Sequence, residues 1–361
     1  MESQRSNPME RGELDYLTAL RFLAAIGVVF HHVGMNLEGF TPFASKIILA
    51  IREHGNLGVQ FFFTLSGFIL AYVYTTRSSI DWTSFVTARV ARVVPVYLIA
   101  LLVGLPMLYG NIADHVANHG LALGWVVSAI KAFAVLFLVQ AWLPSVALFW
   151  NGVSWTLSAE AFFYACFPAI LKWSRDRSTK LLVMILACLM AFELARTFAN
   201  VMYPTLLWGC MPAMRIHEFV SGVIVCILYL RGFAPGLLMG TFASMVLAMC
   251  MLVPHGGAFT EMMRTVGTHA GFCVLISALA ISRPSGSKAK NFMKPLIFLG
   301  QISYSMYLLH FPLLVLWEKF YGPAYLGLWW FLLLVFVASS ATYLWIEEPS
   351  RKWIRKKWQS K

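Results

Sequence analysis

Eleven apolar stretches, each long enough to cross a bilayer, run almost end to end along this chain. They fall at about 17–35, 57–76, 93–110, 124–142, 155–171, 181–199, 214–230, 235–254, 264–282, 297–317 and 324–346. A transmembrane helix needs roughly twenty predominantly apolar residues, so the pattern leaves one fold class open: an all-α, polytopic membrane bundle. Composition agrees, since 12% of residues are charged where a soluble domain carries about 25%. Thirteen tryptophans suit a protein with two bilayer interfaces, where Trp and Tyr collect.

The basic residues decide how many of the stretches span. Arg77, Arg89 and Arg92 follow the second run, and Lys172, Arg175, Arg177 and Lys180 follow the fifth. Arg283, Lys288, Lys290 and Lys294 follow the ninth, and a further basic cluster ends the chain. Positive loops belong to the cytoplasm, yet eleven alternating spans would put the second and fifth loops on opposite sides. Leaving out 124–142, which holds Lys131 and ends at a Trp142–Pro144 break, brings all of them to one side. The expected architecture is therefore about ten transmembrane helices with both termini cytoplasmic. Residues 124–142 are then a re-entrant or surface segment on the outer side. One membrane domain covers 1–361, with a cytoplasmic segment at 1–13 and a basic cytoplasmic tail at 347–361. The net charge of +12 fits cytoplasmic loops rather than a nucleic-acid partner. No cleavable signal peptide is evident at the start. The six cysteines are far apart in or beside apolar runs, which reads as small core residues with no metal or disulfide spacing.

The polar residues inside these stretches carry the functional signal. Arg21 and His32 lie in the first run, eleven residues apart. On a helix that spacing is about 20° past three full turns and roughly 16 Å of rise, so both share one face. A polar stripe on a membrane helix faces the bundle interior or a wet cavity, which suggests an anion-binding cation below and a general base above. His31 lies off that face and reads equally as wall or interface. Glu160, in a run opened by Trp155, needs a partner, and an outer-half histidine can supply one. Arg215 and Glu218, three apart, either pair with each other or meet substrate. His310 is either a packed core histidine or part of a site. Arg89 and Arg92, also three apart, are either a positive anchor or a grip on phosphates, which arginine holds bidentately.

These residues fall in blocks that resemble the acyltransferase 3 family of integral membrane acyltransferases. Arg21, ten residues and then His32 match its first-helix signature, and GVQFFFTLSGFILAY (58–72) resembles its second. Arg89, Arg92, Pro95 and Tyr97 match an Arg-x-x-Arg-x-x-Pro-x-Tyr pattern. WTLSAEAFFY (155–164), RIHEFVSG (215–222), SYSMYLLHFPL (303–313) and IEEP (346–349) follow in order. Many members of the family carry a fused extracytoplasmic hydrolase-like domain. This chain ends at Lys361 and is similar to the stand-alone members.

The resemblance implies an O-acyltransferase of the bacterial inner membrane, taking acetyl from acetyl-CoA at the cytoplasmic side. The acceptor would be a sugar hydroxyl of an exopolysaccharide, lipopolysaccharide or lipid-linked glycan at the outer side. Arg21, Arg89 and Arg92 would hold the donor's phosphates, and His32 would take the hydroxyl proton with Glu160 orienting its ring. His31, Trp155, Arg215, Glu218 and His310 are substrate-site candidates, and no metal is expected. The rival reading is a transporter or flippase using the same buried Arg and His as a relay.

Overall fold

The computed structural model describes residues 14–33, 42–77, 79–203, 209–252, 256–281 and 286–359. The expected N-terminal segment 1–13, Arg283 and the last two residues of the tail lie outside the described residues. Helices follow one another along the chain: α1 (Asp15–His32), α2 (Pro42–His54), α3 (Leu57–Tyr74), α4 (Trp82–Val103), α5 (Leu105–His119), α6 (Leu121–Leu136) and α7 (Trp155–Arg175). Then come α8 (Thr179–Met202), α9 (Pro212–Leu230), α10 (Leu237–Leu252), α11 (Ala258–Ile281), α12 (Gly286–Tyr321), α13 (Leu328–Thr342) and α14 (Glu348–Gln359). A single π-helical turn, Tyr343–Glu347, joins the last two, and no strand occurs among the described residues. The protein is an all-α membrane bundle.

Each of the ten expected spans contains a helix. Among the described residues, seven stretches are long and apolar enough to cross a membrane on length and composition alone, in α3, α4, α8, α9, α11, α12 and α13 with its continuation. Of the rest, α1 and α7 carry ionisable residues within their apolar runs, and α10 is 16 residues long.

Two stretches differ from expectation. The span expected at 93–110 begins eleven residues earlier, because Asp81 caps α4 by accepting the Ser84 backbone N–H at 2.8 Å. A hydrogen bond from the Ser84 side chain, together with that capping bond, holds the exposed Asp81 carboxyl below its usual range. α4 stops at Gly104, and Pro106 then opens α5, where its missing N–H costs nothing. Arg89 and Arg92 both sit within α4, on a helix as their three-residue spacing implies. The 124–142 stretch is mostly α6, which folds back on α5 as a helical hairpin. Inside the hairpin Lys131 Nζ meets His115 Nε2 at 3.0 Å, and His115 Nδ1 meets Ser128 Oγ at 2.9 Å. The lysine that makes this run atypical thus has a polar partner.

Helix contacts at the centre depend on glycine. A Cβ on Gly67 of α3 would overlap the Phe219 carbonyl of α9, and one on Gly222 of α9 would overlap the Thr64 carbonyl of α3. Close backbone approach through small residues is how membrane helices gain contact without a hydrophobic drive between them. α3 and α9 are accordingly buried along most of their length, whereas α8 and α13 turn apolar faces outward at Val183, Met184, Trp329 and Trp330. The cysteines are all free: Cys226 and Cys273 are buried, but Cys188 is exposed on α8 and is not the core residue expected. Its helix is at the edge of the bundle, where apolar side chains face outward.

Candidate active site

Four helices bring ionisable side chains to one cavity of about 190 Å³ in the centre of the bundle. α1 contributes Arg21, α4 Arg89 and Arg92, α7 Glu160 and Tyr164, and α12 Tyr304 and Tyr307. The α3 residues from Val59 to Leu70 form its apolar wall. The spacing of eleven residues along α3 corresponds to roughly 16 Å of helix rise. The cavity is therefore long as well as narrow.

At the arginine end, three guanidinium groups face one carboxylate. Glu160 Oε2 accepts a hydrogen bond from Tyr164 O–H at 2.9 Å. The Arg89 guanidinium lies 5.8 Å from the Phe85 ring centroid and 6.0 Å from that of Tyr164, and its Nε is buried without a hydrogen-bond partner. Tyr304 O–H donates to the Val93 carbonyl at 3.0 Å, tying α12 to α4 beside Arg92. A buried excess of positive charge is costly unless an anion offsets it, and arginine holds phosphate with two parallel hydrogen bonds. This end has the charge and the donor groups that suit an anion.

At the other end Tyr307 lines the cavity, donating its O–H to the Val153 carbonyl at 3.1 Å. His310 follows one helical turn later on α12, with ring centroids 6.0 Å apart. There α12 meets the last turn of α1, and His310 Nε2 lies 3.3 Å from His32 Nδ1. His32 Nδ1 is also 2.9 Å from the Val28 carbonyl, and His310 Nδ1 is 3.2 Å from the Met306 carbonyl. A carbonyl oxygen only accepts, so both neutral rings carry their hydrogen on Nδ1. His32 Nε2 is then left with a free lone pair, and His310 Nε2 points its own lone pair at the His32 N–H.

This arrangement corrects the partner expected for His32. Glu160 makes no hydrogen bond to it; the carboxylate is held by Tyr164 and has Arg92, Arg21 and Arg89 as its electrostatic neighbours. The reason is position along α7: Glu160 comes down among the guanidinium groups, and a charged partner attracts a carboxylate more strongly than a neutral ring does. The histidine that does reach His32 comes from α12, 278 residues away in sequence. His31 turns aside, with Nδ1 bonding the Arg52 carbonyl at 2.6 Å and so fastening α2 to α1.

Arg215 and Glu218 pair with each other, Nη2 to Oε1 at 2.9 Å and Nε to Oε2 at 3.1 Å. The same guanidinium lies 5.5 Å from the Phe63 ring centroid and 5.8 Å from that of Trp155. Phe63 lines the cavity, so these three expected residues form part of its support.

A second buried polar cluster went unread in the sequence. Glu193 Oε1 accepts from Arg196 Nη2 at 2.8 Å and Oε2 from Arg196 Nε at 3.0 Å, while His217 Nε2 lies 2.5 Å from Oε2. Gln60 joins it from α3, and Thr268 O–H donates to the Gln60 side-chain oxygen at 3.0 Å. His269 stands beside His217, ring centroids 5.4 Å apart. Donor atoms of Glu193, His217 and His269 lie within 4.8 Å of one another. The His217–Glu193 separation is nevertheless a hydrogen-bond length, since two ligands of one tetrahedral zinc stand about 3.3 Å apart. Both Glu193 oxygens are also already engaged by Arg196. The cluster is a hydrogen-bonded ion pair across α3, α8, α9 and α11. The acid and base three apart in the 181–199 stretch were its legible signal.

The chain is similar to known proteins along most of its length. The family model for the acyltransferase domain (Acyl_transf_3) matches residues 14–346. The acyltransferase MdmB of Streptomyces mycarofaciens is 28% identical over 320 residues, covering 82% of this chain and 78% of MdmB. The exopolysaccharide production protein ExoZ of Rhizobium meliloti is 30% identical over 260 residues, or 71% of this chain and 75% of ExoZ. The O-acetyltransferase OatA of Staphylococcus aureus is 25% identical over 375 residues, which is 93% of this chain and 57% of OatA. No solved structure matches this chain.

Proposed function

This chain belongs to the acyltransferase 3 family and is a multi-pass membrane O-acyltransferase, and from that premise we propose that its donor is acetyl-CoA and its acceptor a glycan hydroxyl. The acceptor class is a sugar of an exopolysaccharide, lipopolysaccharide or lipid-linked glycan at the outer face of a bacterial inner membrane. Family membership decides against the transporter. The observation that carries the finer reading is the convergence of Arg21, Arg89 and Arg92 on one cavity whose lining Tyr307 stands beside His310, the neighbour of His32.

The donor's phosphates lie against the three guanidinium groups, at the end that charge parity of the loops assigns to the cytoplasm. Its pantetheine arm follows the α3 wall toward Tyr307, which brings the thioester near His32. His32 Nε2 takes the proton of the acceptor hydroxyl as the oxygen attacks the thioester carbonyl carbon. The tetrahedral intermediate collapses, the carbon–sulfur bond breaks, and the His32 proton passes to the departing sulfur. His310 does for His32 what a carboxylate does in a catalytic triad. Its Nε2 lone pair is a second acceptor for the Nδ1–H that the Val28 carbonyl already fixes, and it steadies the imidazolium once Nε2 is protonated. Glu160 belongs to the phosphate end, where with Tyr164 it separates and orients the arginines.

The test compares surface glycans and glycolipids by mass spectrometry from cells carrying the wild type, no protein, or His32→Ala. Loss of the acetyl mass increment in both of the latter supports the reading. An increment retained in well-folded His32→Ala sinks the base assignment. A lost increment larger than acetyl changes the donor.

A further inference from the structure

We propose that the groove between α4 and α7 holds one acyl chain of an anionic phospholipid from the cytoplasmic leaflet, which completes the side wall of the central cavity at its arginine end. The proposal rests on the cytoplasmic placement of the basic loops and not on the donor reading above.

The groove is a second cavity, of about 230 Å³, beside the first. α4 lines it from Trp82 to Val94 and α7 from Leu157 to Ala165. Arg89, Val93, Leu157, Glu160 and Tyr164 line both cavities and so form the partition between them. The opposite side of the groove opens outward, where Trp82 is 51% exposed, Val90 48%, and Ala165 is exposed as well. Exposed apolar side chains on a membrane-spanning helix face lipid. The polar members of the partition engage one another: Tyr164 O–H donates to Glu160 Oε2, and the Arg89 guanidinium lies beside the Phe85 and Tyr164 rings. Ten of the thirteen residues lining the groove are apolar. That lining suits a hydrocarbon chain and leaves a nucleotide base short of hydrogen-bond partners.

Length and charge select the occupant. From Trp82 to Val94 the helix rises about 18 Å, and one leaflet of a bilayer core is about 15 Å thick. Trp82 begins α4 at the cytoplasmic end, where tryptophan marks an interface. On α7, Ala161, Ala165 and Lys172 fall at spacings of four and seven residues and share one face. Lys172 is exposed. At the same end Arg175 Nη1 donates to the Arg77 carbonyl at 3.2 Å, holding the end of α7 against the segment ahead of α4. Basic groups at the mouth and apolar surface along the length complement an anionic headgroup with a chain beneath it.

The experiment counts retained lipids by native mass spectrometry of the full-length protein purified from bacterial membranes, with thermal unfolding as a fold control. The wild type should keep a phosphatidylglycerol through delipidation. Ala165→Trp fills the groove without altering the lining of the first cavity, and it should abolish that retention. Val90→Trp blocks the groove from α4 and carries the test if Ala165→Trp does not fold. Lys172→Gln should lower phosphatidylglycerol retention about fivefold, the worth of one lysine at an anionic surface, and leave phosphatidylethanolamine unchanged. Equal retention in the wild type and both tryptophan variants overturns the proposal. So does a retained species of another kind, whether a polyprenyl-linked glycan or detergent alone. A wild type that keeps its phospholipid but binds no acetyl-CoA sinks the donor reading and leaves the lipid site standing.

Discussion

Replacing His310 by alanine is the sharpest probe of the His32 mechanism. In the structure the His32 Nδ1–H is shared between the Val28 carbonyl at 2.9 Å and His310 Nε2 at 3.3 Å. The backbone bond survives the substitution, so the tautomer is kept and His32 Nε2 remains a base. What disappears is the second acceptor, and it matters most when His32 is an imidazolium during proton transfer. A hydrogen bond to a charged group contributes about 1.5–3 kcal/mol, equivalent to about ten- to 150-fold in rate. His310 lies beyond the cavity's arginine end, so donor affinity should not move. The assay follows thiol release from acetyl-CoA in membrane vesicles containing the acceptor glycan. The expected result is a kcat lowered within that range at unchanged donor KM. His310→Gln, which retains a side-chain acceptor, should recover part of the rate. A kcat within about twofold of wild type in His310→Ala, well below the cost of any charged hydrogen bond, would refute the dyad. So would a loss confined to donor KM.

Other perturbations separate the remaining parts. Arg89→Ala with Arg92→Ala removes two of three cavity cations and should raise donor KM about 100-fold or more, from two charge-assisted contacts; an unchanged KM in the same vesicle assay would end the phosphate reading. His31→Ala loses one bond to the Arg52 carbonyl and should lower unfolding stability by about 1 kcal/mol with kcat intact, so a collapse of kcat would return His31 to the site. Glu193→Gln leaves the buried Arg196 charge without its carboxylate and should cost about 3–5 kcal/mol. Denaturation of the purified protein checks this, and a negligible loss would mean that the cluster is not a structural ion pair.

Much of this molecule was legible in its residue order. Runs of apolar residues of bilayer length outlined helices that the structure contains, because a helix in lipid must satisfy its own backbone and declare itself by composition. The Arg21–His32 spacing placed both on one face, since helix periodicity is a local property. Arg89 and Arg92 were recognised as a pair for the same reason, although the span holding them starts eleven residues earlier than hydropathy suggested. The Asp81 cap, a single short-range hydrogen bond, decided that boundary.

What the sequence alone determined is therefore which residues share a helix and a face. What only the tertiary structure decided is which faces meet, and at what depth. Glu160 is equally able to serve a histidine or an arginine until α7 is set beside α4, and it then falls among guanidinium groups. His310 reaches His32 only because α12 lies against α1, where the Gly300 backbone sits so close to the Thr18 carbonyl that no Cβ would fit. Glu347 faces inward only through a π-helical turn, and Glu193 finds His217 only across a helix boundary. Helix periodicity repeats every 3.6 residues whatever surrounds it. Rotation and depth of one helix against another are set by backbone contacts between distant glycines and carbonyls, and no local pattern records them.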